Sequence, residues 1–286
     1  MSTWRTAALT ALALAAFAGN SLLCRAALRD TPIDAATFTA IRIASGALTL
    51  WMIIRFRGSP ARRAGDWPSA LALFVYAAAF SFAYLSLTAA TGALLLFGAV
   101  QATMIGAGLA RGERLSLAQW LGVLVAAGGL LGLLLPGLTA PPLGGALLMM
   151  AAGTAWGVYS LRGRMPASAG VDPTATNAGN FVRAAPLALG LLGIALLGWH
   201  DIVRYDAAGA GYALASGAVT SGLGYAVWYA ALKGLRATSA ATVQLSVPVL
   251  TAVAGVALLA EPLTPRVVLA SVAVLGGIAL VVLRRR

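Results

Sequence analysis

Gln101 and Gln244 each stand near the middle of a long apolar run, where a side-chain amide is costly to place. An amide that faced lipid would leave its donors and its acceptor without hydrogen bonds, so each must contact protein or a polar cavity. For Gln244 a cavity is favoured, because Pro248 has no N–H to donate to the Gln244 carbonyl and leaves that oxygen free as well. For both glutamines, a hydrogen bond that only joins two helices is the alternative.

Aromatic side chains recur in the same apolar runs. Tyr76, Phe80 and Tyr84 are spaced four residues apart, which places them on one face of a helix. Rings beside amides and hydroxyls predict a pocket for a flat, partly apolar solute, although simple packing also produces aromatic stripes. The candidate substrate-binding residues are Asn20, Tyr76, Phe80, Tyr84, Gln101, Trp156, Tyr159, Tyr225, Trp228, Gln244 and Pro248.

Two arginines, Arg42 and Arg183, interrupt apolar runs that carry no other charge. A guanidinium in hydrocarbon is costly, so each must reach water, headgroups or protein partners. One interpretation has both side chains extend to the membrane surface as interfacial anchors, since each lies only roughly 10 Å from a helix end. The other places them in vestibules or gates, where they attract a carboxylate.

The sequence offers little for catalysis. All eight acidic residues lie in predicted loops or at helix ends, Cys24 is the single cysteine, and neither an HExxH nor a GxSxG motif occurs. We therefore predict no catalytic residues, no metal ligands and no cofactor. Without a membrane-embedded carboxylate, proton exchange for a cationic drug is also disfavoured, which leaves a neutral or zwitterionic substrate moving down its own gradient.

The elements that must position these residues are membrane helices. Hydrophobic residues make up 60% of the 286, charged residues only 10%, and the mean hydropathy is +0.88. The net charge of +12 does not form one patch, so no nucleic-acid partner is predicted. The ten predicted spans are approximately 6–24, 35–55, 69–89, 91–110, 116–135, 143–163, 177–197, 207–230, 237–260 and 265–283.

The cations between these spans predict an orientation. With the N-terminus inside, fourteen of the 20 Lys and Arg residues fall on that side and four on the other. Both termini are therefore expected in the cytoplasm.

Two alignments of the chain with itself predict an internal duplication. Arg183 aligns with Arg42, and 113–135 aligns with 261–283, with both offsets mapping the first five spans onto the last five. Because five is odd, the two halves would have inverted topology, which is typical of transporters that work by alternating access. The predicted units are residues 1–138 and 139–286.

The sequence resembles the drug/metabolite transporter superfamily, EamA type. The resemblance rests on the ten spans, the inverted duplication, an Arg near the start of the second helix of each half, and the segments GERL (112–115) and AEPL (260–263). Within that group it is most similar to the YddG-like bacterial exporters of aromatic amino acids. The resemblance implies a central cavity lined by spans one, three, four, six, eight and nine, with spans five and ten outside.

We therefore expect an all-α polytopic membrane protein, with ten transmembrane helices in a five-plus-five inverted repeat around a central cavity, N-in and C-in. Its expected partners are a small-molecule substrate and the lipid bilayer of a bacterial inner membrane, and a monomer is plausible. The leading function is export of amino acids, aromatic ones first, or of related small metabolites. A broad drug/metabolite exporter and a non-transporting membrane interaction protein are the alternatives.

Overall fold

The computed structural model describes residues 3–57, 64–137, 140–163, 172–198, 204–235 and 237–283. Within these ranges the secondary structure is helical and no strand occurs. The elements are α1 Thr3–Asp30, α2 Ala35–Arg57, α3 Trp67–Tyr84, α4 Ala89–Ala110, α5 Leu117–Leu134, α6 Leu143–Arg162, α7 Pro173–Gly198, α8 Ala207–Ala215, a π-helical segment Ser216–Leu223, α9 Gly224–Leu232, α10 Ala237–Gln244, α11 Ser246–Leu259 and α12 Pro265–Leu283.

Eight helices in the described ranges are long and apolar enough to cross a membrane: Thr3–Asp30, Ala35–Phe56, Trp67–Tyr84, Ala89–Ala110, Leu117–Leu134, Pro173–Leu197, Thr242–Leu259 and Pro265–Leu283. The two other predicted spans correspond to α6 and to the run from α8 through α9. This all-helical architecture is that of a polytopic membrane protein. The predicted boundary between residues 138 and 139 lies outside the described residues, as do Arg62, Arg63, Arg164, Arg236 and residues 284–286 of the orientation argument.

Side chains at the ends of these helices satisfy backbone N–H groups that a helix leaves free. The Asp66 carboxylate accepts a hydrogen bond from the Ser69 N–H at 2.9 Å and caps α3. Ser116 and Gln119 form a reciprocal capping box that starts α5. The connections are short as well, and only residues 85–88 separate α3 from α4.

One predicted span is broken at its middle. Span nine divides into α10, which ends at Gln244, and α11, which begins at Ser246. Pro248 cannot donate a hydrogen bond to the Gln244 carbonyl, and the Leu245 N–H bonds instead to Thr242 O at 3.1 Å. The proline therefore frees the Gln244 carbonyl as its position predicts.

A second interruption was not predicted. The π-helical segment Ser216–Leu223 lies between α8 and α9, and π geometry inside α-helices is frequent at functional sites. Gly217 of this segment lies against α2, where a Cβ would collide with the Ser45 side chain and the Arg42 carbonyl. A glycine is thus required for this close approach of two backbones.

The helices pack in a central group with one peripheral pair. α5 packs chiefly against α12, and a Cβ at Gly277 would collide with the backbone of α5 at Ala126. In the centre, α2 packs against α7 and the π-helical segment, α3 packs against α6 and α7, and α1 packs against α9, α11 and the π-helical segment. The resulting bundle surrounds the polar and aromatic residues described next.

Candidate substrate site

A buried polar network joins α1, α3 and the π-helical segment at the centre of the bundle. The Asn20 side-chain oxygen accepts hydrogen bonds from Ser216 Oγ at 2.7 Å and Thr220 Oγ1 at 3.1 Å. The Asn20 amide nitrogen donates to the Tyr76 hydroxyl at 3.2 Å. Both hydrogen-bonding sides of the Asn20 amide are therefore engaged, which fixes its orientation.

Arg42 completes this network from α2. Its NH2 donates to the Tyr76 hydroxyl at 3.1 Å and its Nε to Ser221 Oγ at 3.4 Å. The guanidinium carbon lies 5.1 Å from the centre of the Tyr76 ring and 4.9 Å from that of Phe80, within the range of a cation–π interaction. Only 2% of Arg42 is exposed, so it is not the interfacial anchor that one interpretation of the sequence proposed.

A cluster of aromatic rings adjoins the network. The Trp156 ring lies 4.9 Å from the Tyr76 ring, 5.4 Å from the Tyr159 ring and 5.1 Å from the Tyr225 ring, measured between centroids. Phe80 extends the cluster at 5.5 Å from Tyr76. These separations are those of favourable aromatic pairs, so Trp156 stands at the centre of a ring-lined wall.

Two cavities lie on either side of this wall. The smaller has a volume of about 20 Å³, and Asn20, Tyr76 and Thr220 contribute to its lining. The larger has a volume of about 310 Å³, and its rim includes the exposed residues Gly163 and Lys233. Trp156, Tyr225 and Gln244 line both cavities, so these three residues lie between them. We call the smaller cavity the chamber. The larger cavity is a compartment that opens at one end of the bundle, which we call the open end.

Polar groups define the open end. Arg162 pairs with Asp66 at 3.0 Å, and the Tyr159 hydroxyl hydrogen-bonds to Asn177 and Asn180. Partial burial of Asp66 opposes its ionisation, but hydrogen bonds from Ser69 and from the Arg162 guanidinium outweigh this effect and hold the pKa of the Asp66 carboxyl below its ordinary value. Asp66 therefore carries a negative charge beside the entrance at neutral pH.

At the opposite end, which we call the closed end, an ion pair joins distant parts of the chain. Arg25 Nε donates to Glu261 Oε1 at 2.7 Å, and Arg25 NH1 donates to the Tyr84 carbonyl at 2.9 Å. The second carboxylate oxygen of Glu261 accepts from the Ala89 N–H at 2.7 Å, at the start of α4. Only 6% of Glu261 is exposed, so the pair ties α1, α3, α4 and the end of α11 together.

The structure brings together most of the predicted substrate-binding residues. Those that line one or both cavities are Asn20, Tyr76, Phe80, Trp156, Tyr159, Tyr225, Trp228 and Gln244. Tyr84, Gln101 and Pro248 are buried but are not among the described residues that line the two cavities. Tyr84 packs edge-on against Phe80 with ring centres 4.8 Å apart, so it contacts the aromatic cluster without lining a cavity.

The two aligned arginines occupy different environments. Arg42 is enclosed next to the chamber, whereas Arg183 is only partly buried and its NH1 donates to the carbonyls of Ala64 and Gly179, each at 2.9 Å. Of these two carbonyls, that of Ala64 lies in the connection before α3 and that of Gly179 lies inside α7. For Arg42, the enclosed position leaves the attraction of an anion as the predicted role.

Several site residues were not selected from the sequence. Asn177 and Asn180 line the larger cavity from α7, a helix that the family resemblance did not place at the cavity. Their spacing of three residues at the start of an apolar run was the available signal, because two amides on one helix face need partners. The Arg25–Glu261 pair joins residues 236 positions apart, so no local sequence pattern predicts it.

Among the described residues, no group of three or more His, Cys, Asp or Glu side chains could hold a metal ion. The polar groups among the described residues that line the chamber are amides, hydroxyls and the Trp156 indole, and the Arg42 guanidinium lies behind Tyr76. This set can orient a small organic solute by hydrogen bonds and ring contacts.

Comparisons with known proteins show what the chain is similar to. An uncharacterized protein of Pseudomonas aeruginosa is 61% identical over 282 residues, which cover 98% of this chain and 96% of that protein. A solved crystal structure of another protein aligns over 98% of this chain and 99% of its own, with a TM-score of 0.66 and 21% identity, which shows a shared fold. Residues 143–283 match the model of the EamA-like transporter family. This matched segment, just under half of the chain, is therefore similar to EamA-like transporters.

Proposed function

We propose that the protein exports aromatic amino acids, or related small neutral or zwitterionic metabolites, across a bacterial inner membrane by alternating access. The observation that carries this proposal is the ring-lined wall of Tyr76, Trp156 and Tyr225 between a deep chamber and a compartment open at one end. A flat ring can stack in such a compartment while the amides and hydroxyls orient its polar groups.

The helix pairings support an inverted repeat of five spans. Under the predicted duplication, α1 corresponds to α6, α2 to α7, α5 to α12, and α3 to the run from α8 through α9. The pairings are reciprocal: α2 packs on the π-helical segment as α7 packs on α3, and α1 packs on that segment and α9 as α6 packs on α3. Two equivalent units that face opposite ways can exchange conformations around one site, which gives alternating access.

The two ends of the bundle support a state open on one side. The larger cavity reaches exposed residues at the open end, while the Arg25–Glu261 pair holds the other end together. In the orientation predicted from the cations, the open end faces the cytoplasm and the closed end faces outward. Export then proceeds by loading from the cytoplasm, closure around Lys233 and Arg162, and separation of Arg25 from Glu261.

Gln244 provides the test. Because it lines both cavities at the break between α10 and α11, Gln244→Ala should remove a polar contact that the solute makes on its way through. Gln101→Ala is the matched control, since Gln101 is equally an amide in an apolar helix but is buried away from both cavities. The assay is uptake of radiolabelled phenylalanine and tryptophan into liposomes loaded with purified protein, without an imposed pH gradient.

We expect saturable uptake by the natural protein, a loss of about tenfold or more in Gln244→Ala, and a smaller loss in Gln101→Ala at equal amounts of folded protein. Absence of solute uptake by the natural protein would refute transport of these amino acids. Uptake that is indifferent to Gln244→Ala would refute this site, and uptake that requires a pH gradient would refute passage down the solute's own gradient.

A further inference from the structure

Arg42 is a buried charge without a carboxylate partner. It is 98% buried by area, its exposed fraction being 2%, and no described Asp or Glu lies within salt-bridge distance of it. A guanidinium removed from water without a counter-charge is strongly unfavourable unless other groups compensate. The protein therefore maintains an unbalanced positive charge next to its chamber.

The partners of Arg42 compensate this charge only in part. Tyr76 and Ser221 accept hydrogen bonds from NH2 and Nε, while NH1 is buried and makes no hydrogen bond within the described part of the chain. A guanidinium presents two neighbouring nitrogens in a planar fork, the geometry that matches a carboxylate. An anion that reached NH1 would satisfy the nitrogen of this guanidinium that has no hydrogen bond among the described residues.

The small cavity adjoins the partners of Arg42, although Arg42 itself is not among the residues that line it. Tyr76 and Phe80, whose rings contact the Arg42 guanidinium, both line it, as do Asn20 and Thr220. Its volume of about 20 Å³ accommodates one or two water molecules, which is the scale of a carboxylate group and too small for a phosphorylated sugar. The larger cavity, at about 310 Å³, has room for the rest of an organic solute.

The same chamber holds no counter-charge for a positive group among its described lining residues. Its described lining consists of rings, apolar side chains, amides and hydroxyls without Asp or Glu. Among the described residues that line the larger cavity, the acid is Asp66, at the open end, where Arg162 already pairs with it. An ammonium group would thus lose hydration near Arg42 and gain no counter-charge.

We propose that Arg42 binds the carboxylate of the transported solute, so that the substrates are small monocarboxylates with a flat apolar body and the amino group is dispensable. This inference rests on the proposed transport function and narrows its substrate class. Amines that lack the carboxylate are then excluded even when their ring is the same.

The natural protein can test this proposal with matched probes. Purified protein is titrated with phenylacetate, phenylacetamide, phenethylamine and sodium chloride, and the concentration that gives half-maximal thermal stabilisation is measured for each. The same four compounds then compete with labelled phenylalanine for uptake into liposomes. We expect phenylacetate to act at a concentration at least about tenfold lower than phenylacetamide, as for loss of one charged hydrogen bond, and phenethylamine not to compete.

Three variants separate a binding role from a structural one. Arg42→Gln should abolish the difference between phenylacetate and phenylacetamide, and Arg42→Lys should retain part of it because the charge remains. Arg183→Gln is the control and should keep the full difference, since Arg183 caps backbone carbonyls away from the small cavity. If Arg42→Gln does not fold, the comparison in the natural protein decides alone.

Each contrary result has its own meaning. Equal action of phenylacetate and phenylacetamide on a transporting protein would overturn the role of Arg42 and leave the transport function standing. Stabilisation by chloride as strong as by phenylacetate would mean that Arg42 binds an inorganic anion, and it would refute carboxylate recognition. Absence of binding by all four probes would also overturn it, whereas binding of phenylacetate without any uptake would overturn transport alone.

Discussion

We expect the Arg25–Glu261 pair to hold the closed end together. The substitution Glu261→Gln measures how much the pair stabilises the closed state. The carboxylate accepts two short hydrogen bonds, from Arg25 Nε and from the Ala89 N–H, both at 2.7 Å. Glutamine has the same shape but only one acceptor oxygen and no charge. The substitution therefore removes one charge-assisted bond and weakens the other.

The expected magnitude follows from those two bonds. A hydrogen bond to a charged group contributes about 1.5–3 kcal/mol and a neutral one about 1 kcal/mol, so the loss of one bond and the weakening of the other should cost the closed state at least about 2 kcal/mol relative to a state in which this end has opened. At 1.4 kcal/mol per factor of ten, the fraction of molecules open at this end rises about 30-fold.

Cys24 supplies a native reporter of that opening. It is the single cysteine of the chain, it precedes Arg25, and it is completely buried. The rate of maleimide labelling of Cys24 in membranes should therefore rise about 30-fold in Glu261→Gln, in proportion to the open fraction.

A control separates gating from general instability. Gln119→Ala removes the capping partner of Ser116 and the hydrogen bond from Gln119 Nε2 to the Val281 carbonyl, far from the closed end. It should lower thermal stability without accelerating the labelling of Cys24. Unchanged labelling in Glu261→Gln, or equal acceleration in both variants, would refute the role of the ion pair as a seal.

Two further changes test the helix ends. Asp66→Ala should destabilise the protein by about 1 kcal/mol through loss of the α3 cap, whereas Asp66→Asn should retain most of that stability in thermal denaturation; equal losses would refute the capping role. Because the pKa of Asp66 is lowered from 3.8 on folding, the stabilisation that depends on its charge is present above pH 3.8 and is lost as the pH falls through the lower folded value. The Asp66→Ala difference should therefore shrink in acid without vanishing, since a protonated carboxyl still accepts the Ser69 N–H as an amide does. Pro248→Ala supplies an N–H for the Gln244 carbonyl and should raise the melting temperature while slowing transport, and faster transport would contradict a role for the helix break.

The chain's local patterns were sufficient to predict much of the architecture. Helices long and apolar enough to span lipid follow from hydropathy, because a backbone in hydrocarbon must satisfy its own hydrogen bonds. The break at Gln244 follows from Pro248, and the shared face of Tyr76 and Phe80 follows from their spacing of four residues. Each of these features depends on residues within one or two helical turns of each other.

The tertiary structure decided which polar groups act together. Gln101 and Gln244 have similar settings in the sequence, yet only Gln244 lines the cavities. Arg42 and Arg183 align with each other, yet Arg42 is enclosed by Tyr76 and Ser221 while Arg183 binds backbone carbonyls. These differences depend on how helices that are distant in the chain approach one another.

By itself, then, the sequence determined that this protein is a set of apolar helices without an embedded acid. It also determined where proline interrupts one of those helices and which rings share a face. Only the tertiary structure decided that Glu261 meets Arg25, that a π-helical segment passes Arg42, and that the Arg42 charge has no acidic partner among the described residues. The physical reason is that hydropathy and hydrogen bonding along a helix are local properties, whereas the pairing of a buried charge depends on residues that folding brings together from far apart in the chain.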